Sequence, residues 1–454
     1  MKKQSFFAFG AMMLLMGSVV ACGDKDKEFE GDLDDQGSGS MEVMSPTESK
    51  NFLETTAKEF IGYFNPNDQK QVIQLCDYFL DEYGDLDAPK EFEIEEDEDY
   101  YSNAWESPAK IIKAMRQLAK NANGPSMAKE LYTYTYTINF DRFKGVYQPG
   151  TYSWQRVSDS DDIVFRFAGP NDEQCEAKVS ASGSTSNAEV TYDDTWFDYW
   201  DNMEYTDRYI YKISVPKTLT ATLTQDRETL ANAKVETDVD YKGHKYTATV
   251  TATVANIQAS VTSNGDDSHL YQATGVWVSG TQIVNCTAEV KGYNLCNVDK
   301  IIDGFENDFE DYKLTNWFTT GSAKVNVLDK VQVYADVTFK DSFVDADDSW
   351  GYWDYDSRNE AYQEAQRVAD IFNNNIDAKV RYNNKATDQA TFQVQPVLDK
   401  WGSSDQYWEY YLEPVLYFPQ DKTTYTFEEY FEKGFESLEK QWNSLIDSYE
   451  RLWK

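Results

Sequence analysis

Lys245-Tyr246-Thr247-Ala248-Thr249-Val250-Thr251-Ala252-Thr253-Val254 is the stretch on which the reading of the fold turns. Every second position from Tyr246 to Val254 is apolar or aromatic, and a threonine stands at each position between. A period of two is the repeat of a strand with one face buried and one face wet. A helix would need its apolar positions three and four apart. The β-branched threonines favour the same backbone, because their stiff side chains fit a pleated surface.

The pattern spreads in both directions. Upstream, Leu219, Ala221 and Leu223 share one face with threonines on the other, and Lys242-Gly243-His244 supplies a turn. Downstream come Ile257, Ala259 and Val261, a turn at Asn264-Gly265-Asp266, and then Val284, Cys286, Ala288 and Val290. Earlier still, Tyr132, Tyr134, Tyr136, Ile138 and Phe140 alternate with Thr and Asn. The gaps are too short for crossover helices, so the spacing predicts an antiparallel meander built from hairpins.

Helical spacing flanks this centre. Ser45-Pro46-Thr47-Glu48 reads as a capping box with proline in the first turn. Phe52, Leu53, Phe60, Ile61 and Phe64 follow at helical intervals. A second stripe runs Val72, Ile73, Cys76, Phe79, Leu80 and Tyr83, and Ser107-Pro108 opens a third helix. Between the last two, the acidic run Glu91–Asp99 reads as a solvated loop. Past the centre, a helix is expected over Glu360–Phe372, then strands over Ala378–Tyr382, Ala390–Val397 and Tyr410–Phe418. One long helix is expected over Phe427–Trp453.

The expected class is therefore α+β: N-terminal helices, a central antiparallel β-meander, and a C-terminal α/β segment ending in a long helix. The expected divisions are a signal peptide at 1–21, an acidic tether at 22–44, a helical segment at 45–126, a β-rich domain at 127–345 and a mixed segment at 346–454.

The N-terminus carries an address. Lys2 and Lys3 precede an apolar run from Phe6 to Met16, and small residues lead to Val19-Val20-Ala21-Cys22. The run is shorter than the roughly 20 apolar residues of a membrane-spanning helix and has the layout of an export signal. Its last four residues resemble the lipobox of bacterial lipoproteins. That resemblance implies a diacylglyceryl thioether on Cys22, cleavage after Ala21 and N-acylation, giving the two or more chains that stable anchoring needs. The stretch Gly23–Ser40 is acidic, ends in Gly37-Ser38-Gly39-Ser40, and has too little apolar surface to fold. It resembles the surface-export signal of Bacteroidetes lipoproteins, which implies the outer face of the outer membrane. Val215-Pro216-Lys217-Thr218-Leu219-Thr220-Ala221-Thr222-Leu223-Thr224, Gly292-Tyr293-Asn294-Leu295-Cys296-Asn297 and Tyr411-Leu412-Glu413-Pro414 resemble uncharacterised Bacteroidales lipoproteins over most of residues 200–430. That likeness is structural and implies no activity.

A formal charge of −37 repels phosphate backbones, so nucleic acid is not an expected partner. With 32 Tyr, 25 Phe and 12 Trp against a mean hydropathy of −0.67, the interior must be assembled largely from aromatic rings. Beyond Cys22 there remain Cys76, Cys175, Cys286 and Cys296. Export permits disulfides and Cys286 is close to Cys296 in sequence, but unpaired cysteine is itself a common core residue, so buried free thiols are expected ahead of a bridge.

Motifs of catalysis are missing from the sequence. The two histidines, His244 and His269, fall in turn-rich contexts with no nucleophile motif beside them. No phosphate loop, Gly-x-Ser-x-Gly elbow, dinucleotide fingerprint or His/Cys zinc spacing occurs. Among 79 acids a glycosidase-like carboxylate pair could be nominated anywhere, so that chemistry is not marked.

Two acid–aromatic clusters are the candidate ligand surfaces. Asp193-Asp194-Thr195-Trp196-Phe197-Asp198-Tyr199-Trp200-Asp201 offers Trp196, Tyr199 and Trp200. Asp345-Ala346-Asp347-Asp348-Ser349-Trp350-Gly351-Tyr352-Trp353-Asp354-Tyr355-Asp356 offers Trp350, Trp353 and Tyr355. Rings stack on the apolar C–H faces of sugars while carboxylates accept their hydroxyl hydrogens. The same rings can instead pack loop onto sheet. Asp345, Asp347 and Asp356 are candidate calcium ligands, although Trp350 stands where an EF-hand has its turn glycine and Asp356 where it has glutamate.

The expectation is a lipid-anchored, non-enzymatic body that binds a ligand or partner protein, glycan among the candidates. A carrier of an apolar molecule in a half-barrel meander and a polysaccharide hydrolase are the alternatives. Replacing Cys22 with Ser should move the protein from the membrane to the soluble fraction; a Cys22→Ser chain that stays membrane-bound contradicts the anchor.

Overall fold

The computed structural model describes residues 39–92, 131–198, 203–240, 243–297, 316–340, 357–398, 410–432 and 434–452. The chain forms two compact units. The first comprises Met1–Lys70, Asn256–Leu295 and Lys313–Lys454, and the second Gln71–Ala255 and Cys296–Tyr312. Helices α1 (Pro46–Gly62) and α2 (Pro66–Tyr83) precede every described strand. The capping box is formed: the Glu48 N–H donates to Ser45 Oγ at 3.3 Å, and Glu48 Oε2 accepts from the Ser45 N–H at 2.9 Å.

The strands of the second unit are β1 (Leu131–Asn139), β2 (Gly145–Pro149), β3 (Trp154–Ser158), β4 (Ile163–Ala168), β5 (Gln174–Asp198), β6 (Met203–Gln225), β7 (Glu228–Asp240) and β8 (Lys245–Val254). From β4 to β8 each strand pairs antiparallel with the next. The Thr alternation is reproduced in register. Val179, Ala221, Ala233 and Ala252 stand in one row, and Ser180, Thr220, Lys234 and Thr251 in the next. Two pairings are parallel, β1 with β6 and β2 with β4.

The core of this unit gathers Val72 and Leu75 of α2 with Tyr147, Trp154, Ile163, Phe167, Cys175 and Leu230. Phe79 lies 4.9 Å from Phe167 and Trp154 lies 5.0 Å from Phe165, ring centre to ring centre, both edge-on. The aromatic interior follows from a sequence rich in rings and poor in aliphatic residues.

The first unit continues with β9 (Ile257–Gly265), β10 (His269–Val278), β11 (Thr281–Gly292), β12 (Phe318–Val327), β13 (Val331–Thr338), α3 (Arg358–Asn375), β14 (Ile376–Tyr382), β15 (Asp388–Leu398), β16 (Tyr410–Phe418), β17 (Thr423–Thr426), α4 (Phe427–Phe431) and α5 (Glu436–Glu450). Its nine strands form one unbroken antiparallel ladder in chain order. One apolar row crosses it as Ala288, Ala323, Ala335, Ala378, Phe392, Leu416 and Tyr425.

Over the last four strands this face is filled from the helices. Phe52 of α1 lies 4.5 Å from the Tyr382 ring, and Tyr430 of α4 lies 5.0 Å from Phe418. Tyr382 and Tyr430 are 1% and 2% exposed. Their hydroxyls are accommodated by Ser49, hydrogen-bonded to Tyr382, and by the Pro46 carbonyl, which accepts from Tyr430 at 3.3 Å. All four described cysteines are free thiols.

The α+β expectation is overturned. Seventeen strands and five α-helices are present among the described residues, and the protein is predominantly β with mixed pairing. Residues 346–454 do not build an α/β layer of their own, because β14 pairs antiparallel with β13 and carries the ladder onward. Nor is the centre purely antiparallel, since β1 and β2 each find a parallel partner. The long C-terminal helix is two helices, with Gly434 between them at φ +94. At that angle the backbone has left the helical region, a conformation glycine adopts without the cost a Cβ would bring. The third expected helix, from Ser107, lies outside the described residues. No helix among the described residues is long and apolar enough to cross a membrane.

Burial pushes the Tyr430 hydroxyl up to about 12, and Tyr382 is raised further by the same cause. In the unfolded chain both ionise near pH 10. Above that pH the folded protein keeps protons that the unfolded chain releases, so their contribution is complete below about pH 10 and is lost as pH rises toward 12. Urea unfolding should show a midpoint that falls steeply between about pH 10 and 12, the interval those ionisations set, with Tyr430→Phe flattening the fall. Superimposable midpoints in the wild-type chain would contradict this packing.

Candidate functional site

The far halves of β5 and β6 extend beyond the paired regions of β4 and β7, and β1 lies parallel along β6 there. Register puts Tyr134 opposite Tyr209 and Tyr209 opposite Tyr192. Tyr136 faces Tyr211, and Tyr205 faces Trp196. Because successive residues alternate faces, Tyr132, Tyr134, Tyr136, Tyr192, Trp196, Tyr205, Tyr209 and Tyr211 all belong to one face of this three-stranded arm. Rows lie about 6.8 Å apart along the strands and strands about 4.8 Å apart. The other face carries Thr133, Arg208 and Asp193 in one row and Thr137, Lys212 and Glu189 in another.

A bulge decides which residues share the aromatic face. Between Ser182 and Thr185 the register shifts, two residues of β5 standing against one of β6, and Gly183 adopts φ +79. Without the extra residue, Asp193 and Phe197 would join the tyrosines of β6 in place of Tyr192 and Trp196. Such a bulge favours glycine because its backbone angle is costly for any residue with a Cβ.

The aromatic face is also acidic. Asp194 stands opposite Asp207, which stands opposite Tyr132.

A second place is a concavity of about 380 Å³ on the first unit, over β11 to β14. Glu289, Lys291, Lys324, Tyr334, Asp336, Lys379 and Arg381 contribute its charged and aromatic lining. Lys324 Nζ lies 5.3 Å and Arg381 Cζ 4.9 Å from the centre of the Tyr334 ring. Arg381 Nε donates to Asp388 at 2.6 Å, Lys379 pairs with Asp377, and Lys291 lies 2.9 Å from Glu289. Burial and the neighbouring Asp377 carboxylate raise the Asp336 carboxyl above its ordinary range, with Lys379 and Arg381 pulling the other way.

Of the residues expected from sequence to form a site, Trp196 lies on β5 opposite Tyr205. Cys22, Tyr199, Trp200, Asp345, Asp347, Trp350, Trp353, Tyr355 and Asp356 lie outside the described residues. His269 opens β10 with Nε2 2.8 Å from Glu289, and His244 occupies a turn at φ +46. Among the described residues no group of three His, Cys, Asp or Glu side chains could hold a metal ion. Sequence reasoning missed Tyr205, Tyr209 and Tyr211. Their alternation is visible, but only the pairing with β1 and β5 gathers them with the other rings.

Compared with known proteins, the chain matches no family model, no curated protein and no solved structure.

Proposed function

We propose that this protein is a lipid-anchored, non-enzymatic glycan-binding protein displayed at the outer membrane, tethered through Cys22 and the acidic segment behind it. The register of the arm carries the reading. Eight aromatic residues occupy one face together with the opposed Asp194 and Asp207. Rings interspersed with carboxylates suit a sugar chain, whose C–H faces stack on rings and whose hydroxyls donate to carboxylates. A row of positions on a hydrogen-bonded sheet also suits an extended polymer, because strand spacing is set before the ligand arrives.

Affinity electrophoresis of the protein through gels containing soluble polysaccharides tests this. Tyr209→Ala or Tyr134→Ala should weaken retardation about tenfold, the effect of losing one stacking ring. Thr135→Ala and Thr191→Ala, on the opposite face, should leave it unchanged. No retardation by any polysaccharide, or equal losses on both faces, would overturn the proposal.

A further inference from the structure

We propose that the concavity over β11–β14 is a second binding site, selective for an acidic sugar, the uronate residue of a carboxylated polysaccharide. It lies on the first unit and rests on side-chain geometry, so it stands or falls apart from the reading of the arm.

Four cations and two carboxylates line it, in a chain whose formal charge is −37. With Asp377 and Asp388 beside them the charges balance, so the concavity lacks the excess negative charge that repels anions over the chain as a whole. Three of the cations are already engaged: Lys291 by Glu289, Lys379 by Asp377 and Arg381 by Asp388. Lys324 makes no ion pair among the described residues. Its recorded partner is the Tyr334 ring, a contact worth far less than a carboxylate in a sheltered site. Lys324 is therefore the group with charge to offer a ligand.

The surroundings specify more than an anion. Strand register puts Ser322 between Glu289 and Asp336 in one row and Thr320 between Lys291 and Thr338 in the next. Three hydroxyls and two carboxyl groups therefore occupy the two rows that follow the lysine's own on this face, complementary to the hydroxyls of a sugar chain. The carboxylates of Glu289 and Asp336 can accept from sugar hydroxyls. A bare phosphate would leave these partners unused. A neutral sugar would leave Lys324 on the ring.

Calorimetric titration of the full chain with trigalacturonate, with the neutral galactose trimer and with inorganic phosphate tests the assignment. Trigalacturonate should bind, the neutral trimer at least tenfold more weakly, and affinity should fall with added salt. Lys324→Gln should lose at least tenfold for trigalacturonate while Lys324→Arg keeps most of the affinity, and Thr135→Ala, outside both sites, should change nothing. Absence of heat with trigalacturonate, equal binding of the neutral trimer, or phosphate binding as well as trigalacturonate would overturn it. So would a Lys324→Gln chain with the circular dichroism and affinity of wild type.

Discussion

Backbone hydrogen bonding between neighbouring strands fixes which residues stand side by side, and both proposed sites are consequences of that register. A strand carries its side chains alternately to two faces, so a slip of one residue would send every ring of the arm to the face now holding Thr133, Thr135 and Thr137. The same constraint gathers Glu289, Ser322 and Asp336, residues far apart in sequence, into one row on adjacent strands. Packing supports the register from the apolar side. Phe52, Phe427 and Tyr430 fill the face of the last strands in the first unit, and Val72, Leu75 and Phe79 of α2 join the core of the second.

The bulge at Gly183 shows how one residue tunes a surface without touching it. Before it, odd-numbered positions of β5 stand with Leu219, Ala221 and Leu223; after it, even-numbered positions stand with Tyr205, Tyr209 and Tyr211. An apolar face thereby becomes an aromatic, partly acidic one along the same strands. Bulges commonly re-aim side chains where a surface must do something other than pack.

Local periodicity was legible and global pairing was not. The alternation Tyr246–Val254 gives β8 (Lys245–Val254), and the expected strand Tyr410–Phe418 coincides with β16. Ser45-Pro46-Thr47-Glu48 forms the capping box it spells. The class was misjudged because period says what an element is, not what it pairs with. Nothing in Ile376–Tyr382 announces β13 as its neighbour, so a continuation of the ladder read as a separate α/β segment. The apolar stripe resumes at Leu438, so periodicity alone carries the C-terminal helix through Gly434, where the backbone breaks it. Trp196 stood out by composition. Its companions on β1 and β6 needed a parallel pairing between segments some 70 residues apart, and the concavity's residues look like ordinary solvated strand positions until the strands are laid together.

The register of the arm is tested most directly by disulfide trapping in a chain whose native thiols are replaced by serine. Tyr192→Cys combined with Tyr209→Cys places the two thiols directly across β5 and β6, within the reach of a disulfide. Mild oxidation should join this pair rapidly and leave Asp193→Cys with Tyr209→Cys, one residue out of register, as free thiols. Rapid closure of the second pair with none of the first would mean that Tyr192 and Trp196 do not share a face with the tyrosines of β6.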